Sequence, residues 1–376
     1  MKTLFFLKKI RGLGCGAILA LLLAASCYSP PPPKPETPEA ETPAATVAET
    51  AVEEEIIAEV EFPSYEVELP VSSFGEIWGY LVAGRESALG RGYPLSDIGY
   101  FGAEIDNYGK LVNVPDRKKI SGYPGRVHLV VTCNSRPLTH FALEEGSAVR
   151  RRMIADLLAE TAAYDGLQID FEYVPAQDGG AFLSFLSELR KGLAGKMFTI
   201  ALPARTRTLA NDVYDYGKIN ALTDRILVMA YDEHWSGSQP GPIASMGWCR
   251  DVASYSLATL GPGKLIMGLP FYGRAWGHTN PSRAYIHSSI ERLKEENKVS
   301  EVIRTEGIPH FSYEIPVSVT VYYEDAFSLS ARMEMYTSLG VKAIGFWSLG
   351  QENPEFWKIL ELKETNREEG KNKSEG

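Results

Sequence analysis

The sequence predicts a closed (β/α)8 barrel, and three observations carry that expectation. From residue 75 onward, short β-branched or aromatic runs alternate with helix-length amphipathic segments. Eight such runs fall within residues 71–362, and one of them sets two carboxylates on a single face. Strands alternating with helices make βαβ units and a parallel sheet, and eight in this length suit a closed barrel better than an open sheet. In chain order the strand candidates are Ile77–Val82, Asp97–Phe101, Val127–Thr132, Gly166–Tyr173, Phe198–Leu202, Arg225–Tyr231, Leu265–Leu269 and Ala343–Ser348. Amphipathic helices are clearest at Ala148–Ala163, Ala181–Leu193 and Leu329–Leu339. The stretch from Trp276 to Val319 is long for one crossover. It is expected to hold an insertion between strands 7 and 8, with Ile290–Lys298 helical and Phe311–Ile315 extended.

The 376 residues are 44% hydrophobic and 23% charged, so most of the chain can bury a core. A net charge of −10 argues against a nucleic-acid partner, which calls for a basic excess. Most of that charge belongs to one segment: residues 28–70 hold eleven acidic side chains and one basic, whereas residues 1–27 hold four basic ones. That segment opens Pro30-Pro31-Pro32-Pro33-Lys34-Pro35 and reads as an extended tether, spanning up to roughly 130 Å. Residues 363–376 form an equally polar tail. A monomer is expected.

Before the tether, Lys2, Lys8, Lys9 and Arg11 precede an apolar run, Leu13–Ala25, that is short for a membrane span; residues 1–27 read as an export signal. The run ends Leu23-Ala24-Ala25-Ser26-Cys27, which resembles a bacterial lipobox with its Leu one position early. Two readings follow: a lipoprotein anchored in the cell envelope through Cys27, or a plain cleaved signal with a bystander cysteine. The Pro-rich tether favours the anchor. Cys133 and Cys249 lie in apolar-rich segments and are expected as buried free thiols. The six histidines show no metal-type spacing, and neither a metal nor a cofactor is expected.

The most informative segment is Asp165-Gly166-Leu167-Gln168-Ile169-Asp170-Phe171-Glu172-Tyr173. Strand periodicity puts Gln168, Asp170 and Glu172 on one face, pointing into the barrel near its C-terminal mouth, with Leu167, Ile169 and Phe171 on the other. Burying an unpaired carboxylate is costly, so the pattern asks for a reason. An edge strand with one solvated face would supply one, and so would a buried ion-pair lattice. An acid/base pair at a barrel strand's C-terminal end would supply a third, this being where such enzymes keep their chemistry.

Asp165-Gly166-x-x-x-Asp170-x-Glu172 resembles the D-G-x-D-x-D-x-E signature on the fourth barrel strand of family 18 glycoside hydrolases. Met229-Ala230-Tyr231-Asp232 resembles that family's sixth-strand motif, Gly268-Leu269-Pro270-Phe271-Tyr272-Gly273 its seventh, and Gly345-Phe346-Trp347-Ser348-Leu349-Gly350-Gln351 the end of its eighth. One position departs: the middle Asp of the signature is Gln168. An amide there, together with the loop from Trp235 to Pro242, is similar to the spore-cortex-lytic branch. This shifts the expected substrate toward peptidoglycan-type N-acetylglucosamine polymers and away from crystalline chitin.

The resemblance implies substrate-assisted retaining hydrolysis, in which the sugar's 2-acetamido group is the nucleophile. Glu172 is then the proton donor, with its pKa raised, and Asp170 orients the acetamide and stabilises the cyclised intermediate. Tyr231 bonds the acetamide oxygen, Asp232 touches the sugar or the acid, and Trp347 floors the sugar. Gln168 is expected to donate to Asp170 and help it stay ionised. Tyr173 and Tyr272 either line the groove or simply pack, and Asp165 is expected to be structural. A non-catalytic glycan-binding relative is the alternative; such members usually lack the final Glu, and Glu172 is present.

If Cys27 carries the anchor, Cys27→Ser should release the protein from the membrane fraction or leave an unprocessed precursor. Unchanged partitioning and mass would refute this.

Overall fold

A computed structural model describes residues 68–193, 195–277, 283–314 and 318–363. The export signal, the tether up to residue 67 and the tail from residue 364 lie outside the described residues, as does Ile315.

Eight parallel strands form the barrel. They are β1 (Glu76–Val82), β2 (Asp97–Ile105), β3 (Arg126–Thr132), β4 (Gly166–Asp170), β5 (Met197–Pro203), β6 (Arg225–Met229), β7 (Leu265–Pro270) and β8 (Ala343–Trp347). Each pairs with the next, and β8 pairs with β1, which closes the ring. Closure leaves no barrel strand with a free edge. Around the ring lie α1 (Arg136–Leu143) and α2 (Ala148–Thr161), α3 (Gly179–Gly192), α4 (Tyr216–Asn220), α5 (Met246–Leu260) and, before β8, α7 (Ala326–Ser338). Serine N-caps start three of them: Ser135 accepts from the Leu138 N–H, Ser147 from that of Arg150, and Ser245 from that of Trp248. Asp325 and Ser328 form a reciprocal capping box on α7.

Alternation along the strands makes two cores. Ile77, Leu129, Leu167 and Ile169 face the helices. Trp78, Tyr80, Val130, Ala201, Leu227 and Ile266 fill the barrel's interior. Gly345 belongs to this interior layer, where a Cβ would sit 2.9 Å from Leu227 and 3.2 Å from Trp78. The Leu227 side chain and the Trp78 Cβ occupy that space.

Two of the strands end earlier than their sequence suggests. β4 stops at Asp170 and β6 at Met229, so Glu172, Tyr173, Tyr231 and Asp232 lie in the loops that follow. The insertion between β7 and β8 is present and begins sooner than expected. Its antiparallel sheet runs in the order Arg283–Ile286, Tyr272–Gly277, Ser318–Tyr322, Ile308–Glu314, Ile303–Thr305. With α6 (His287–Glu296) it encloses a small core of Ala275, Ile290, Phe311, Val321 and Tyr323.

Both structural explanations for the carboxylates of β4 fail. That strand is hydrogen-bonded on both sides, by β3 and β5, so it is no edge. An ion-pair lattice does exist, but at the opposite end of the barrel and from other residues. There the buried Asp97 accepts from Arg126 at 2.6 and 2.8 Å and lies 2.7 Å from His128 Nε2, while Arg225 forks onto Glu76 at 2.7 and 3.0 Å.

A second buried ion pair reaches the mouth indirectly. Arg332 on α7 and Glu324, at the exit of the insertion, are wholly buried and bond at 3.0 and 3.1 Å. Arg332 Nη2 also donates to the Ala244 carbonyl at 2.6 Å, tying down the far end of the loop after β6. Removing one partner of a buried pair leaves the other uncompensated. Arg332→Met should therefore destabilise by about 3–5 kcal/mol. Arg332→Met with Glu324→Leu should recover much of the loss in denaturant unfolding; a double variant no more stable than the single one contradicts this.

Candidate active site

The site is built from the C-terminal ends of β1, β4, β6, β7 and β8. Asp165 plays the structural part expected of it, with Oδ2 accepting from the Val127 N–H at 2.8 Å. Asp170 is the last residue of β4 and is buried, and its Oδ1 has no hydrogen-bond partner among the described residues. Loss of hydration pushes its pKa well above the ordinary range, and the nearby Glu172 carboxyl pushes it further. Glu172, two residues on, is solvent-accessible at the mouth. Its pKa is also raised, first because surrounding protein displaces part of its water and second because of the Asp232 carboxylate. The two groups titrate as a coupled pair.

Gln168 departs from expectation. It is wholly buried beneath Asp170, so it does not line a groove, and both ends of its amide are taken. Tyr80 OH donates to Oε1 at 2.6 Å, and Nε2 donates to Thr199 Oγ1 at 3.1 Å. Among the described residues no hydrogen bond joins this amide to Asp170, whose pKa is raised by burial. The physical reason is barrel closure. Tyr80 on β1 reaches the amide oxygen across the interior, and Thr199, paired with Gln168 on the neighbouring β5, takes one of its N–H groups.

Asp232 follows β6 with φ of 57°, in the left-handed region that Asp tolerates better than most residues. Its Oδ1 accepts from Tyr272 OH at 2.6 Å and from Arg274 Nε and Nη2 at 3.1 and 2.8 Å. Tyr272 is buried and its hydroxyl is spent on Asp232, so it positions that carboxylate and does not line the groove. Tyr231 is half-buried, its ring edge-on to Tyr272 with centroids 6.4 Å apart. A Cβ at Gly268 would lie 2.9 Å from that ring, which explains the glycine opposite it on β7. Burial raises the Tyr231 phenol well above its usual pKa, so it stays a hydrogen-bond donor.

Trp347, half-buried at the end of β8, rests on Phe101 (centroids 4.8 Å, edge-on) and Tyr80 (5.7 Å), leaving part of the indole open. Tyr173 and Trp235 are exposed, at 47% and 49%. The loop that carries Trp235 is pinned by the Trp276 indole N–H, which donates to the Trp235 carbonyl at 3.3 Å. Among the described residues, no three or more His, Cys, Asp or Glu side chains converge as a metal site would need.

Sequence reasoning missed Tyr80 and Arg274. Alternation could have found Arg274, two residues from Tyr272 on one strand face. Nothing local could have found Tyr80, whose partner is 88 residues away.

A (β/α)8 barrel with a coupled carboxyl pair at its mouth, a half-open tryptophan and a clamped Asp232 has the layout of a sugar-cleaving site. The match to the glycosyl hydrolases family 18 model spans residues 145–352, and the chain belongs to that family. It is 33% identical over 228 residues to the putative sporulation-specific glycosylase YdhD of Bacillus subtilis, covering 57% of this chain and 54% of that protein. The chain thus spans about half of that relative's length. It is 28% identical over 291 residues to the cortical fragment-lytic enzyme of B. subtilis, covering 71% of this chain and 67% of that one. The fold matches the crystal structure of the Bacillus cereus spore cortex-lytic enzyme SleL with a TM-score of 0.69 at 23% identity, covering 77% and 74% of the two chains.

The Asp232 charge lifts Glu172, so Asp232→Asn should lower the midpoint of Glu172 in a carbon-13 NMR titration of the side-chain carboxyls. An unchanged or raised midpoint contradicts the arrangement.

Proposed function

We propose that the barrel hydrolyses β-1,4 bonds next to N-acetylglucosamine in peptidoglycan-type or chitin-like glycan, by substrate-assisted retaining catalysis. The observation that carries this reading is the Asp170–Glu172 pair: two coupled carboxyls at the mouth, one buried with an oxygen unpartnered among the described residues and one open to solvent. Burial and the neighbouring charges favour the protonated form of each carboxyl, and in the reactive arrangement the proton sits on Glu172.

Glu172 delivers that proton to the glycosidic oxygen as the bond to C1 breaks. The substrate's acetamide oxygen attacks C1 from the other side and closes an oxazolinium ring. Asp170, now charged, accepts the acetamide N–H on its free Oδ1 and offsets the ring's positive charge. Tyr231 donates to the acetamide oxygen and aligns it, and Trp347 supports the sugar's C–H face. Glu172 then takes a proton from the water that opens the ring, and two inversions at C1 amount to retention. Asp232, held by Tyr272 and Arg274, keeps a negative charge beside Glu172, so that Glu172 keeps its proton until it is needed. Gln168 acts from below by fixing Tyr80 and the layer on which Asp170 rests.

Two observations favour peptidoglycan-type glycan: the amide at position 168, and the relatives described as cortical fragment-lytic. Export, with Cys27 lipidated, would hold the barrel at the cell envelope, and the polyproline tether would give it reach.

Glu172→Gln should reduce hydrolysis about 10²- to 10⁴-fold with the fold intact. A thiazoline analogue of N-acetylglucosamine should inhibit the wild-type protein. Mass spectrometry of products from chitooligosaccharides and from peptidoglycan, in parallel, identifies the polymer. Comparable cleavage of glycans lacking the acetamido group would overturn the mechanism.

A further inference from the structure

A bulge in β2 turns one more carboxyl toward the mouth. Phe101 pairs with Val130 and meets the edge of Trp347, so it faces the interior. Strict alternation from there would send residue 103 inward and Glu104 out to the helices. Instead the register slips between Phe101 and Ala103, and Gly102 takes the extra position at φ 155°. Ala103 then pairs with Val131 and is buried in the outer core, while Glu104 pairs with Thr132. Thr132 in turn pairs with Asp170. Glu104, Thr132 and Asp170 thus share one face at one height on three neighbouring strands. Two strand spacings, about 10 Å, separate the backbones of Glu104 and Asp170. Re-aiming a side chain beside an active site is a recurrent use of a bulge.

The Glu104 carboxyl is held in place by neutral donors. Asn113 Nδ2 donates to Oε1 at 2.8 Å and Asn134 Nδ2 to Oε2 at 2.9 Å. Both asparagines are exposed, Glu104 is half-buried, and among the described residues no Lys or Arg forms an ion pair with Glu104. Each oxygen therefore has a lone pair left over. The turn of the hairpin that follows β2 is closed without this carboxyl: the Asp106 Oδ1 accepts from the N–H groups of Tyr108 and Lys110 at 2.8 and 2.9 Å.

We infer that Glu104 is a substrate-contacting residue that accepts hydroxyl or amide N–H donors from the sugar adjoining the one on Trp347. It would refuse an anionic substituent at that position, because no basic side chain offsets its charge. The inference rests on the glycan-hydrolase reading and adds to it a residue that sets which sugar is accepted.

The test uses the full chain and tetra-N-acetylchitotetraose, with affinity from calorimetry and turnover from steady-state kinetics. Glu104→Gln and Glu104→Ala should each weaken binding about 10- to 100-fold, with KM rising more than kcat falls and the melting temperature held. Asn134→Ala should act in the same direction with a smaller loss, because the carboxyl is then less well aimed. Both Glu104 variants binding and cleaving the tetrasaccharide like wild type would overturn the inference and leave the hydrolase reading standing. A wild-type protein that neither binds nor cleaves the tetrasaccharide or peptidoglycan strands would overturn both.

Discussion

Keeping a carboxyl group at the top of a barrel interior is the constraint around which the mouth is organised. Asp170 is buried, and its Oδ1 finds no donor among the described residues. An ionised carboxyl is costly in such a place, and burial accordingly raises the pKa of Asp170. What surrounds it is consistent with that response. The layer beneath is neutral, with Gln168 bonded to Tyr80 and Thr199, so no second buried charge competes. Arg274 is directed at Asp232 and not at Asp170 or Glu172.

The two ends of the barrel handle charge in opposite ways. At the N-terminal end Asp97 is wholly buried, yet Arg126 and His128 satisfy it, and its pKa is lowered to about 2. At the C-terminal end Asp170 is left unsatisfied and its pKa rises. The first arrangement suits stability and the second suits proton transfer. The insertion and α7 contribute to the mouth from a distance. Trp276 pins the Trp235 carbonyl, Glu306 accepts from the Gly247 N–H at the start of α5, and Arg332 holds the Ala244 carbonyl. These three contacts brace the loop that presents Tyr231 and Asp232.

Much of this was legible in the chain. Alternation over Leu167–Glu172 correctly put Gln168 and Asp170 on one face, and the order of the motifs placed the tyrosine, aspartate and tryptophan around them. The strand ends were harder. Apolar runs continue through Phe171 and Ala230, so composition extends β4 and β6 past the points where the backbone leaves the sheet. Tyr272 illustrates a different limit: the sequence leaves open whether it lines the groove or packs, and only the bond of its hydroxyl to a residue 40 positions earlier decides between them.

The sequence by itself determined which segments become strands and helices, the face each side chain takes along an unbroken strand, and the presence of two carboxyls two residues apart. Those properties depend on periods of 2.0 and 3.6 residues, which are local. Only the tertiary structure decided which side chains meet. Tyr80 reaches Gln168 because the sheet closes on itself, and Arg274 reaches Asp232 because the insertion folds back over the mouth. Glu104 faces inward because one glycine bulge reverses the alternation of its strand. Register and closure are set by the packing of the whole barrel, and no spacing along the chain encodes them.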